Sequence, residues 1–126
     1  MPTRIAYELA TELITRTREN GGATLLKNGE LATKGYATGI GQEYRMRKPQ
    51  GLTFNGLQLR DVAECVDLIL QNKTCNAVGF WYHEGVLYID AVMIFEELEN
   101  ALELGRIKKE IAIYDLNEQR EIKLSY

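Results

Sequence analysis

A chain of 126 residues, 45% of them hydrophobic, is one domain by length and long enough to bury a proper core. Its 15 Lys/Arg against 18 Asp/Glu leave a net charge of −3, without the basic balance of a nucleic-acid module. No apolar run approaches the roughly 18 residues a membrane helix needs, and the polar start MPTRIAYELATELITRTREN has no block like a secretory signal. We therefore expect a soluble, cytoplasmic protein with no membrane partner.

The first predicted element is a helix. Ile5, Ala6, Leu9, Ala10, Leu13 and Ile14 recur at the spacing of one wide apolar stripe. Thr3 or Pro2 suits its start and Asn20-Gly21-Gly22 its end, because Gly accepts the left-handed cap position. Next, Asn28-Gly29 between residues 23–27 and 30–33 predicts a hairpin, since both residues tolerate the positive φ of a tight turn. A further extended piece runs from Lys34 to Ile40 and carries Tyr36 among small residues. Gly35, Gly39 and Gly41 miss the G-x-G-x-x-G spacing and no helix opens after them, so they read as strand ends and bulges.

Residues 42–54, QEYRMRKPQGLTF, are the least regular, with Pro49 and Gly51 stopping any helix. Within them Tyr44, Arg45, Arg47 and Lys48 form a short basic-aromatic segment able to hold a phosphate or an acidic protein surface. A second helix, Leu57 to Asn72, buries Leu59, Val62, Ala63, Val66, Ile69 and Leu70 and pairs Arg60 with Glu64 on its wet side. Val78, Phe80 and Tyr82 mark a strand, His83-Glu84-Gly85 a loop, and Val86 to Met93 the returning strand.

The third helix, Phe95 to Lys108, turns Phe95, Leu98, Ala101 and Leu102 inward. Glu96, Glu97 and Glu99 at its start and Arg106, Lys108 and Lys109 at its end complement the helix dipole. Gly105 either permits close approach to the sheet or begins the exit. A strand over 110–115, a turn at Asn117-Glu118 and a short strand over 121–124 complete the chain.

The order α-β-β-α-β-β-α-β(-β) is that of an α+β (mixed α/β) single domain, with a mixed, mainly antiparallel sheet and about three helices. A right-handed crossover sets 110–115 parallel to 86–93.

Chemistry is sparse. The sole His, His83, falls at a hairpin tip, exposed and without the setting of a triad base. One His and two distant cysteines, Cys65 and Cys75, do not make a zinc site, and the thiols read as small buried hydrophobes. Calcium and Walker loops are absent by spacing, so no cofactor, metal site or catalytic residue is assigned. Asp90 and Asp115 are the acids of interest. Each sits near the end of a predicted strand, and as parallel neighbours they would bind Mg²⁺ or work as acid and base. The structural reading has Asp90 capping the following helix and Asp115 setting up a turn.

Two broader patterns complete the reading. Residues 1–60 carry nine Lys/Arg against five Asp/Glu, and residues 61–126 six against thirteen, so the halves stand at +4 and −7. Such asymmetry suits an anionic partner or self-association, unless folding interleaves the halves. The stretch YIDAVMIFEELENALELGRIKKEIAIYDLNEQREI shows a Tyr-Ile-Asp strand, a helix ending near Gly, and an Ile-Ala-Ile-Tyr-Asp-Leu strand before a turn. GGATLLKNGELATKGYATG adds a Gly-Gly start and a Gly-Tyr strand. In these features the chain resembles small uncharacterised proteins encoded on bacterial, particularly actinobacterial, mobile elements and phages. The resemblance implies an accessory protein of such an element and brings no activity with it.

We therefore expect a non-enzymatic protein-interaction or regulatory module that binds a protein partner or forms a homo-oligomer. The expected contact surface is Tyr44, Arg45, Arg47 and Lys48, together with Tyr36. One alternative is a small enzyme or ligand-binding domain using Asp90 and Asp115 with a divalent metal. The other is a nucleic-acid-binding protein. Such modules show a basic domain overall or an aromatic platform on a sheet, and at a pI of about 5.2 the chain lacks the first.

Overall fold

The computed structural model describes residues 1–49 and 51–125, apart from the side chains of Gln42 and Glu43. Helix α1 (Arg4–Asn20) starts where the Thr3 side chain accepts the Ala6 N–H, and ends at Gly21, whose φ of 83° lets its N–H reach the Thr17 carbonyl. Its stripe is buried except for Ile5. Helix α2 (Gly56–Gln71) opens on a reciprocal capping box between Asn55 and Gln58. Helix α3 (Leu98–Ile107) follows the longest hairpin.

The strands are β1 (Gly22–Leu26), β2 (Tyr36–Arg47), β3 (Ala77–His83), β4 (Val86–Phe95), β5 (Ala112–Asp115) and β6 (Arg120–Lys123). They form one sheet in the order β1-β3-β4-β2-β5-β6, with every neighbouring pair antiparallel. The α+β class and the order of elements are those expected from the sequence. Among the described residues no helix is long and apolar enough to cross a membrane.

The core explains the layering. Val78 and Phe80 of β3 and Leu87, Ile89 and Ala91 of β4 alternate onto one face, where they meet Leu9, Leu13, Val62, Val66 and Ile69 of α1 and α2. Helix α3 lies on the same face, tied down where the Thr38 hydroxyl donates to the Ala101 carbonyl at 3.1 Å. Gly105 provides the close approach: a Cβ there would sit 2.8 Å from Leu124 Cδ1 and 3.0 Å from Ile113 Cγ2. The other face is covered only at one end, where Ala32 of the β1–β2 connection and Leu116 pack with Ala37, Ala77 and Val92.

Several boundaries differ from expectation, each for a local reason. The chain does reverse at Asn28-Gly29, but only Gly29 takes a positive φ, 93°, and only Leu25 and Leu31 form a bridge. The returning arm leaves early because it must pass two strands to reach the site of β2. The segment 42–47 is the second half of β2 rather than irregular chain, and β4 runs on to Phe95, which shortens α3. The β3–β4 loop is a two-residue turn, Glu84 and Gly85 at φ 49° and 78°, with His83 paired to Val86. Strands β4 and β5 run the same way but are not adjacent. Both edges of β4 are taken, by β3 and by β2, so α3 delivers β5 to the far edge of β2.

Candidate binding face

Strand alternation puts Phe80 and Tyr82 against the helices and turns Trp81 and His83 outward. Trp81 lies opposite Tyr88 of β4, and Tyr88 opposite Arg45 of β2, so one row crosses three strands on the uncovered half of the outer face. The Trp81 and Tyr88 rings are 5.5 Å apart between centroids, and the Arg45 guanidinium lies 5.4 Å from the Tyr88 centroid. His83 stacks on Trp81 at 4.6 Å with planes 15° apart, and its Nε2 is 3.6 Å from the Glu84 carboxylate. Gly22, opposite Trp81 on β1, has no side chain to cover the indole, which stays 43% exposed.

Beyond that row the face turns acidic. The position a Cβ of Gly39 would take lies 2.7 Å from Glu110 Oε1 and 3.8 Å from Asp90 Oδ2, so both carboxylates reach over a residue without a side chain. Burial pushes the Glu110 carboxyl above the usual carboxylate range.

The expected partner of Asp90 is elsewhere. Asp90 pairs with Gln42 on β2, whereas Asp115 pairs with Tyr36 of the same strand, which at strand rise is on the order of 20 Å away. Asp115 is buried at 4% exposure and its Oδ1 accepts from the N–H groups of Asn117 at 2.9 Å and Glu118 at 3.1 Å. That is the turn role. Asp90 lies inside β4 and does not cap α3, whose N-cap position is Glu97. The divalent-metal reading of Asp90 and Asp115 is therefore corrected. Among the described residues no group of three His, Cys, Asp or Glu converges on a common point.

The basic-aromatic segment is split by the strand it belongs to. Tyr44 turns toward the helices, where burial first, then Asp61 and Cys65, raise its phenol above the ordinary range. Lys48 is only 5% exposed: its Nζ donates to Gln58 Oε1 at 2.9 Å and sits 4.6 Å from the Phe54 centroid, while its carbonyl accepts the Tyr82 hydroxyl. It anchors the start of α2. Tyr36 lies at the far end of β2, between Phe95 and Asp115. Arg45 and Arg47 alone remain on an exposed surface, joined by Trp81 and Tyr88, which sequence reasoning did not single out. The available signal was the alternation in GFWYH, whose inward Phe80 and Tyr82 oblige Trp81 and His83 to face out.

Cys65 and Cys75 are buried free thiols, as expected, and the Cys75 Sγ lies 3.5 Å from the carbonyls of Ile69 and Asn72. A hollow of about 450 Å³ between α1 and the 27–29 turn, lined by Ile5, Glu8, Leu9, Glu12 and Lys27, gathers no catalytic set. Compared with protein-family models, curated proteins and solved structures, the chain matches none.

Proposed function

We propose that the protein is a non-enzymatic interaction module that binds a macromolecular partner with the outer face of its sheet, around Trp81, Tyr88, Arg45 and Arg47. An accessory role on a phage or mobile element, carried out in the cytoplasm, is the setting we propose for it. The supporting observation is the exposed indole of Trp81 within a row of ring and guanidinium groups. Trp, Tyr and Arg are the side chains that most often dominate binding energy when a partner desolvates them. A photo-crosslinking residue at position 88 in the source cell, with position 68 on α2 as control, tests this directly. Crosslinks to one partner from 88 and not from 68 are expected. Loss of that partner's binding in Trp81→Ala should follow, and equal crosslinking from 68 would overturn the reading.

A second reading has one observation in its favour. The same row is an aromatic platform on a sheet, the arrangement on which single-stranded nucleic acids stack their bases. The carboxylates of Glu84, Asp90 and Glu110 on or beside that face oppose a phosphate backbone. Trp81 is the only tryptophan, so quenching by oligothymidylate with a steep salt dependence would support it.

A further inference from the structure

The central strand has one edge that no other strand follows over most of its length. Strand β2 pairs with β4 from Tyr36 to Arg47, but on its other side it pairs with β5 only at Tyr36 and Ala37. Among the described residues no other strand lies along 40–47 on that side. That leaves about 26 Å of backbone edge, long enough for an extended segment to add to the sheet. The side chains beside it say what kind of segment fits. Arg45 and Arg47 are exposed at one end of the edge. At the other, where the chain enters β5, Ile107 and Ile111 are 67% and 79% exposed. We infer that residues 40–47 of β2 receive an extended segment of a partner protein by strand addition, acidic toward Arg45 and Arg47 and apolar toward Ile111.

This rests on the reading of the adjoining outer face as the contact surface, and supplies its partner chemistry. An acidic occupant is favoured over a second copy of the chain. Two copies pairing antiparallel about the Arg45–Arg47 end would set these arginines against one another, and like charges directly opposite across a strand pair destabilise it. Main-chain hydrogen bonds would supply affinity, and the two ends of the edge would supply selectivity. The bulges and charges of β2 keep this edge from indiscriminate pairing while it is empty.

The probe is a capped eight-residue peptide alternating Glu and Val, added to the full chain. Amide hydrogen exchange over 40–47 and Trp81 fluorescence are read together. Slowed exchange at alternate residues of 40–47 is expected, and N-methylation along one peptide edge, or Lys in place of Glu, should weaken binding about ten-fold or more. An Arg45→Glu/Arg47→Glu variant with an unchanged melting temperature should reverse the preference and favour the Lys peptide. Absent protection, or equal binding of the N-methylated peptide, overturns strand addition. Protection of the same amides that rises with protein concentration alone assigns the edge to a second copy and overturns the acidic occupant. Oligothymidylate that quenches Trp81 without protecting 40–47 leaves the outer face standing and removes the edge. Peptide protection with crosslinking from 88 no stronger than from 68 does the reverse.

Discussion

Gly105 tests how closely the third helix must approach the sheet. It occupies an interior position of α3, where Gly is about 1 kcal/mol less favourable than Ala, so propensity alone predicts that Gly105→Ala stabilises. Packing predicts the reverse. The added Cβ would lie 2.8 Å from Leu124 Cδ1 and 3.0 Å from Ile113 Cγ2, both inside ordinary contact distance. Leu124 can swing its terminal methyl away, but Ile113 is β-branched, buried and fixed on β5. Overpacking of this kind costs about 1–3 kcal/mol, which exceeds the propensity gain and leaves a net loss of about 1 kcal/mol. For a chain of this size that lowers the melting temperature by about 3–6 °C, readable by circular dichroism. In an Ile113→Ala background the fixed contact is gone and the penalty should fall toward zero, a coupling a double-mutant cycle measures directly. A melting temperature raised by Gly105→Ala in the native background would refute the argument, because propensity would then outweigh the contact.

Other outcomes follow from single contacts. Gln58→Ala removes the acceptor shared by the Asn55 N–H and the buried Lys48 ammonium, so a loss of about 2 kcal/mol in urea unfolding is expected, while Gln58→Glu keeps both bonds and stays within about 1 kcal/mol of native. Gly35→Ala forces a side chain into φ 95° with its Cβ 2.7 Å from the Phe95 carbonyl; it should cost about 2–4 kcal/mol or prevent folding, and a native melting curve would count against the close approach. Glu110 has a linkage of definite sign. Its carboxyl holds the proton to higher pH when folded than when unfolded, so its contribution is most favourable when protonated and is lost as pH rises from the ordinary carboxylate range through the raised value. Glu110→Gln should therefore gain stability relative to native between about pH 4 and pH 7, and a difference that does not change with pH would remove the burial argument.

Much of the scaffold is legible in the sequence because its signals are local. The stripe from Ala6 to Ile14, the Thr3 cap and Gly21 specify α1 with nothing else known, and the stripe from Leu59 to Leu70 specifies α2. What was not legible is non-local. That β5 joins β2 depends on which edges of β4 are already occupied, and no residue of β5 records it. Asp90 and Asp115 look like a pair only if their strands touch. The residues 42–47 read as irregular because Pro49 and Gly51 dominate their surroundings, although Tyr44 and Met46 alternating with Arg45 and Arg47 carry a strand pattern. Reading Tyr44, Arg45, Arg47 and Lys48 as one contact surface treated neighbours in sequence as neighbours in space. In a strand they face opposite ways, and the same rule would have brought Trp81 and Tyr88 into the site.

The register of β2 shows why alternation still placed Arg45 and Arg47 correctly. Pairing with β4 shifts twice, between Gly39 and Gly41 and again between Gln42 and Tyr44, so β2 carries two residues more than its partner over the same span. A single shift would have reversed the facing of everything beyond it, turning the arginines toward the helices and Tyr44 and Met46 outward. Two shifts cancel in phase, so residues before Gly39 and after Tyr44 keep the faces that strict alternation assigns. Their effects on shape do not cancel, because each bulge bends the strand and increases its twist. Pairing with β5 ends at Ala37 and the first shift follows Gly39, so the two bulges lie along the stretch that no other strand follows on that side. Facing and curvature are thus set by different features of one segment: the cancelling of two shifts keeps the binding row intact, while each bulge adds its own bend and twist.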